Sequence, residues 1–294
     1  MHLTAMLTLD AYADESGVEE APDYCLIAGY IGAPSTWESF NRRWMVALDG
    51  VPEFHAKEFF PRRRALSTRS PYHGWSIEKR VAFIRRLVGV IKNHALLPVG
   101  SAVEVAPFRE LSQEERRIFI GAIIRQITVH LNRVGGPTSR QFTARSEFTL
   151  KGTGSPQRPY FVAFRSFLED TMRHIASGTK LNITLDRNRS LEAYAVDLFN
   201  QLAKAWGDAD PQKRLGLFGY ADSSEPPLQA ADLYAYIWTR RLHSRSITQE
   251  MLETAPVFDG STISVVRRTD FVEMLKSMRA GLSEFNEVPL RTPL

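Results

Sequence analysis

From about residue 158 onward the chain alternates helical and strand-like segments with regular punctuation, and no other feature constrains the fold as tightly. A helical pattern over 159–176 leads to the strand-like "KLNITLDRN" (180–188) and then to the helical "SLEAYAVDLFNQLAKAW" (190–206). The strand-like "RLGLFGYA" (214–221) follows, and then the helical "PPLQAADLYAYIWTRRL" (226–242). Strands joined by a crossover of that length are parallel neighbours, because a hairpin needs only a few residues. The expectation is an α/β fold with a parallel half-sheet.

The first third reads differently. Residues 6–14 alternate, with Leu7, Leu9, Ala11 and Ala13 on one side and Thr8, Asp10, Tyr12 and Asp14 on the other. Gly17 allows a turn, and "YCLIAGYIG" (24–32) reads as a buried strand antiparallel to the first. A helix over 34–48 carries a Ser35/Thr36 cap signal and an apolar stripe of Trp37, Phe40, Trp44 and Leu48. "VPEFHAKEFFPRRR" is irregular, 76–93 is helical and 96–105 is strand-like. Ser112 and early glutamates open a helix expected over 112–133. Residues 134–158 are rich in Gly, Ser, Thr and Arg, hold one alternating stretch with hairpin character, and read as a mobile insertion. The tail suggests a hairpin around 257–266 and a helix near 269–285. The division expected is one domain over 1–245 and an appendage over 246–294 packed on it.

With 294 residues the chain buries a core without staples, and its single cysteine, Cys25, lies in an apolar run and suits a reducing compartment. No export signal opens the chain and no window holds about 18 uninterrupted apolar residues, so the expectation is a cytoplasmic protein with no membrane span. Net charge is +4, yet the pI near 9.2 and the local clusters "NRRW", "PRRRALSTR" and "TRRLHSR" favour a polyanionic partner.

Three acids fall where such a fold gathers ligands. Asp14 ends the first strand, and Asp186 ends a strand on which Leu181, Ile183 and Leu185 face one side and Asn182, Thr184 and Asp186 the other. Parallel pairing of those strands brings the two carboxylates to one end of the sheet. Asp232 shares a helix face with Gln229 and Tyr236 and is surrounded by Ala230, Ala231, Leu233 and Ala235. Gathering three carboxylates costs like-charge repulsion, which Mg²⁺ or Mn²⁺ would offset while retaining water for phosphodiester chemistry.

"YADESG", "FHAKEF" and "ADSSEPPLQAADLYAY" resemble the domain-of-unknown-function 3800 family, over roughly residues 6–243. That family is grouped with the RNase H-like metal-dependent nucleases and integrases. The resemblance implies an RNase H-like mixed sheet, with leading antiparallel strands, then parallel strands alternating with helices, and helical insertions after the second strand. It also implies Asp14, Asp186 and Asp232 as metal ligands. For a fourth carboxylate it leaves Glu169, Asp170, Glu15 and Glu58 open. His55 is placed to assist proton transfer or touch the scissile phosphate, with Glu58 three residues on. Ser223 and Gln229, with Glu15, read as residues that orient the ligands.

The function expected is therefore a Mg²⁺- or Mn²⁺-dependent phosphodiesterase acting on DNA or RNA. Arg62, Arg63, Arg64, Arg240 and Arg241 would hold the backbone. The alternatives are a non-catalytic nucleic-acid-binding or interaction module of a defence or mobile-element system, and a phosphatase of small nucleotides.

Overall fold

The computed structural model describes residues 7–17, 23–60, 69–113, 115–116, 124–134, 141–151, 158–209, 214–243, 248–258, 261, 263–273, 275–276 and 288–289. Strand β1 (Thr8–Ser16) pairs antiparallel with β2 (Tyr24–Gly32), which pairs antiparallel with β3 (Leu97–Glu104). On its other edge β1 pairs in parallel with β6 (Lys180–Asp186), and β6 in parallel with β7 (Arg214–Ala221). A short strand β8 (Ser264–Val266) adds in parallel to β3, which gives a six-stranded mixed sheet of order β7-β6-β1-β2-β3-β8. The fold is α/β, and the sequence pattern of leading antiparallel and later parallel strands is present.

Helices cover both faces. Between β2 and β3 lie α1 (Pro34–Leu48), the single turn α2 (Ala56–Phe59) and α3 (Ile77–Lys92); α4 (Val105–Glu110) follows β3. Helix α5 (Pro159–His174) precedes β6, α6 (Glu192–Ala209) links β6 to β7, and α7 (Pro226–Leu242) follows β7. Ala11, Ala13, Leu181, Ile183 and Leu185 point into a core shared with α5 and α6. Leu26, Ala28 and Tyr30 point the other way, into an aromatic core with α1, α3 and α7 that holds Phe40, Trp44, Phe54, Phe59 and Phe83. Period-two alternation along β1 and β6 therefore puts Tyr12, Asp14, Thr184 and Asp186 on the α7 face, as their spacing predicts.

Two local details fix the corner after β1. Gly17 has φ +75°, and a Cβ there would lie 1.9 Å from the Tyr24 carbonyl oxygen. Both the left-handed backbone and the close strand approach require glycine. The turn is structural, whatever Asp14 does beside it.

Three expectations are corrected. The helix expected over 112–133 gives way to β4 (Ile124–Val134), which forms an antiparallel hairpin with β5 (Gln141–Lys151), joined by β9 (Val288–Pro289) in a second sheet of order β4-β5-β9. Ser112 does cap a turn, its hydroxyl accepting from the Glu115 N–H at 3.2 Å while Glu115 accepts from the Ser112 N–H at 2.9 Å. Beyond that turn, Ile127, Val129 and Leu131 recur at a spacing of two and include β-branched residues, which suits a strand. The described residues do not form the hairpin expected near 257–266: α8 (Gln249–Leu252) and α9 (Ala255–Phe258) lie before β8, which pairs with β3 instead. Helix α1 starts with Pro34 in its first turn after Ala33, with no side-chain cap from Ser35 or Thr36. No helix among the described residues is long and apolar enough to cross a membrane.

Candidate functional site

The register of β1 against β6 runs to Tyr12↔Thr184 and Ala13↔Leu185, so Asp14 and Asp186 are the next positions on two neighbouring parallel strands. Both lie on the face that α7 covers. Helix α7 packs along β1 and β2 and carries Asp232 in its second turn. Burial raises the Asp14 carboxyl well above its ordinary range, and the charges of Asp232, Asp186 and Glu15 push it further in the same direction. Burial likewise raises Asp232, to about 6, against the opposing pull of the Ala56 N–H and His55. Asp186 is raised by burial too, while the Arg187 N–H and His55 oppose it.

What faces these acids is the segment 53–60, and the exposed-looking polar face of α7 grips it. The Gln229 amide oxygen accepts from the Phe54 N–H at 3.0 Å and from the Trp44 indole N–H at 2.9 Å, and its nitrogen donates to the Ser224 carbonyl at 2.9 Å. Asp232 Oδ2 accepts from the Ala56 N–H at 2.8 Å. The Tyr236 hydroxyl donates to the Phe60 carbonyl at 2.8 Å, and its ring stacks on Phe60. Residues 229, 232 and 236 thus use one helix face to bind the backbone of one segment, as their spacing implies. From the opposite side the Arg80 guanidinium donates to the Phe59 carbonyl and pairs with Glu250 at 3.0 Å.

That grip presents two side chains to the acids. His55 Nε2 stands 3.0 Å from Glu53 Oε1, and His55 Nδ1 stands 3.9 Å from Asp232 Oδ2. The charges of both Glu53 and His55 act on Asp186 and Asp232. Sequence reasoning placed His55 here and missed Glu53. The signal was present: in "PEFHA" an extended backbone puts residues 53 and 55 on one side and buries Phe54 on the other.

The remaining candidates fall elsewhere. Glu15, next to Asp14, points to the other sheet face, where the Asn188 amide donates to it; burial raises its carboxyl to about 7. Glu58 is exposed on α2. Glu169 pairs with Arg165 at 2.9 Å, and Asp170, 7% exposed, pairs with Arg173 at 2.5 Å, so both are matched by arginines of their own helix. Ser223 sits in the turn between β7 and α7. Arg240 is buried and Arg241 lies over the Trp238 ring, both about 12 Å along α7 from Asp232. Arg62, Arg63 and Arg64 lie outside the described residues. Two arginines that the sequence reading passed over follow Asp186 directly. Arg187 is committed to Asp222 at 3.2 Å and Glu192 at 3.8 Å. Arg189 is exposed at the tip of a turn that Asn188 closes by accepting from the Ser190 N–H and hydroxyl.

Among the described residues, no three His, Cys, Asp or Glu side chains are already drawn together as the ligands of one ion would be. Nor does any lysine or arginine among them pair with Asp14, Asp186 or Asp232; the basic side chain that approaches Asp232 is His55, at 3.9 Å. The donor set is hard oxygen, which fits Mg²⁺ or Mn²⁺ in chemistry. Comparison with known proteins yields no match, neither to a family model nor to a curated protein.

Proposed function

We propose that the chain is a Mg²⁺- or Mn²⁺-dependent phosphodiesterase acting on nucleic acid, with an RNase H-like fold. The observation that carries this reading is the adjacency of Asp14 and Asp186 at the carboxyl ends of two parallel strands, with Asp232 bearing on Asp14 from the covering helix. The strand order β3-β2-β1-β6-β7 at the heart of the sheet supports the RNase H-like assignment that the three motifs suggest. Asp14, Asp186 and Asp232 hold the cation, which when bound neutralises their charge and supplies Lewis-acid activation of water and phosphate oxygens.

The chain's own residues supply the rest. His55, between Glu53 and Asp232, takes up or returns a proton beside the acids. Arg189, exposed three residues after Asp186 and with no acidic partner among the described residues, meets a backbone phosphate at the rim. A phosphate arriving beside three carboxylates is repelled, so binding and the cation are linked.

One observation favours the second reading, a binding module without turnover: Asp232 spends one oxygen on the Ala56 N–H, which is also what a purely structural aspartate does. Purified protein with Mn²⁺ or Mg²⁺, tested against labelled single- and double-stranded DNA and RNA, separates the two. Cleavage that disappears in Asp14→Ala and Asp186→Ala supports the enzyme; binding without cleavage supports the module; cleavage that survives both substitutions refutes the site.

A further inference from the structure

Behind the segment that carries His55 lies a buried ion pair, and half of it comes from beyond residue 243, where the resemblance ends. Arg80 on α3 and Glu250 on α8 are each 9% exposed, with Nε and Oε1 3.0 Å apart. Taking two charges out of water is costly, and apolar side chains of similar volume often stabilise a fold as well or better. Stability alone does not account for the pair.

The guanidinium reaches the Phe59 carbonyl. Its terminal nitrogen donates to that oxygen, and its carbon lies 4.9 Å from the centre of the Phe59 ring. The same peptide's other end, the Phe60 N–H, donates to the Ala56 carbonyl at 2.9 Å. One residue back, the Phe59 N–H donates to the His55 carbonyl at 2.9 Å. The Ala56 N–H in turn donates to Asp232. A continuous run of polar contacts therefore leads from Glu250, through the turn α2, to Asp232. A single helical turn does not hold its shape unaided. Here α7 holds it through Asp232 and Tyr236, and Arg80 holds it from the other side.

Glu250 is itself presented from anchored chain. Met251 and Val257 are buried in the aromatic core that also holds Phe54 and Phe59. Beside them, Arg85 on α3 grips Glu253 with two nitrogens, at 2.9 and 3.0 Å. Removing the Glu250 carboxylate takes the counter-charge from a buried guanidinium, which then turns toward water and leaves the Phe59 carbonyl.

We propose that Glu250 is a positioning residue for the site. It holds Arg80 against the Phe59 carbonyl, and through that carbonyl it fixes the turn that carries His55 beside the acids. The stretch around residue 250 is then part of the site rather than an appendage packed on it. The effect on turnover rests on the phosphodiesterase reading above; the effect on the turn does not.

Native-state hydrogen exchange of the full, metal-free chain tests the clamp. The amides of Ala56, Phe59 and Phe60 report the turn, and that of Ile27, on a strand paired on both edges, reports the fold. In Glu250→Ala the three turn amides should exchange at least about 10-fold faster than in wild type, with Ile27 accelerated clearly less. Should that variant fail to fold, Arg80→Met/Glu250→Met replaces the pair by apolar side chains and is read the same way, because the Phe59 carbonyl has still lost its donor. Turn amides that are unchanged, or accelerated no more than Ile27, overturn the proposal. Mn²⁺-dependent turnover on labelled nucleic acid adds a second readout. Glu250→Ala is expected to lower kcat about 10-fold with KM unchanged; an unchanged kcat overturns the positioning role. An inactive wild type refutes the phosphodiesterase reading alone, because exchange decides the clamp by itself.

Discussion

The backbone N–H of Ala56 donates to Asp232 Oδ2 at 2.8 Å, across 176 residues of sequence. Through this bond a proposed metal ligand also fixes the segment that carries His55. The two roles separate by substitution. Asp232→Asn keeps an oxygen acceptor for Ala56 while removing the charge. Asp232→Ala leaves the buried Ala56 N–H without a partner, at a cost of about 1–3 kcal/mol. Urea unfolding should show Asp232→Asn at least as stable as wild type and Asp232→Ala clearly below it, with both inactive.

Gln229 has the heavier structural task. Its amide satisfies the Trp44 indole and the Phe54 N–H together, at 1% exposure. Gln229→Leu orphans both donors, and the expected loss is about 3 kcal/mol in equilibrium unfolding, larger than for any single substitution of Asp14, Asp186 or Asp232.

Much of this was legible in the sequence. The bounds of β2, α1, β7 and α7 follow from apolar spacing, although the cap read at Ser35/Thr36 is not made, and the faces of β1 and β6 follow from alternation. Two of the three corrections have one cause. The edge strand β8 and the hairpin strand β4 are defined by partners distant along the chain, and a helix-like opening at Ser112 says nothing about where the helix stops. The site shows the same limit. Asp14 and Asp186 sit near strand ends and Asp232 on one helix face, positions that a period reveals. Glu53 sits on an irregular segment, where only the grip of Gln229, Asp232 and Tyr236 gives residues 53 and 55 a direction.

The raised carboxyl of Asp232 predicts a pH signature in the metal-free protein. An acid whose folded pKa lies above its unfolded value stabilises the fold only when protonated, so the contribution is complete below about 3.9 and lost as pH rises. The window runs from about 4 up to the folded value of about 6. Relative to Asp232→Asn, wild type should therefore lose stability as pH rises from about 4 to about 6 and stay lower at pH 7. Thermal unfolding of both proteins across that range, without divalent cation, checks the sign.

Arg189 makes a prediction about salt. If it meets a backbone phosphate, Arg189→Ala should weaken binding of all nucleic-acid sequences alike and reduce the slope of log K against log salt by about 1. Binding measured with Asp14→Asn protein, at several salt concentrations, reads this without cleavage. Arg241→Ala, at the far end of α7 with its guanidinium over Trp238, should leave the slope unchanged.

The central claim is that Asp14, Asp186 and Asp232 act together on one cation site. Calorimetric titration of the purified protein with Mn²⁺ tests it most directly, in wild type and in the three single Asp→Asn variants. The account predicts saturable binding in wild type that each substitution abolishes or weakens by at least about 10-fold. Equal Mn²⁺ affinity in wild type and in all three variants would contradict it.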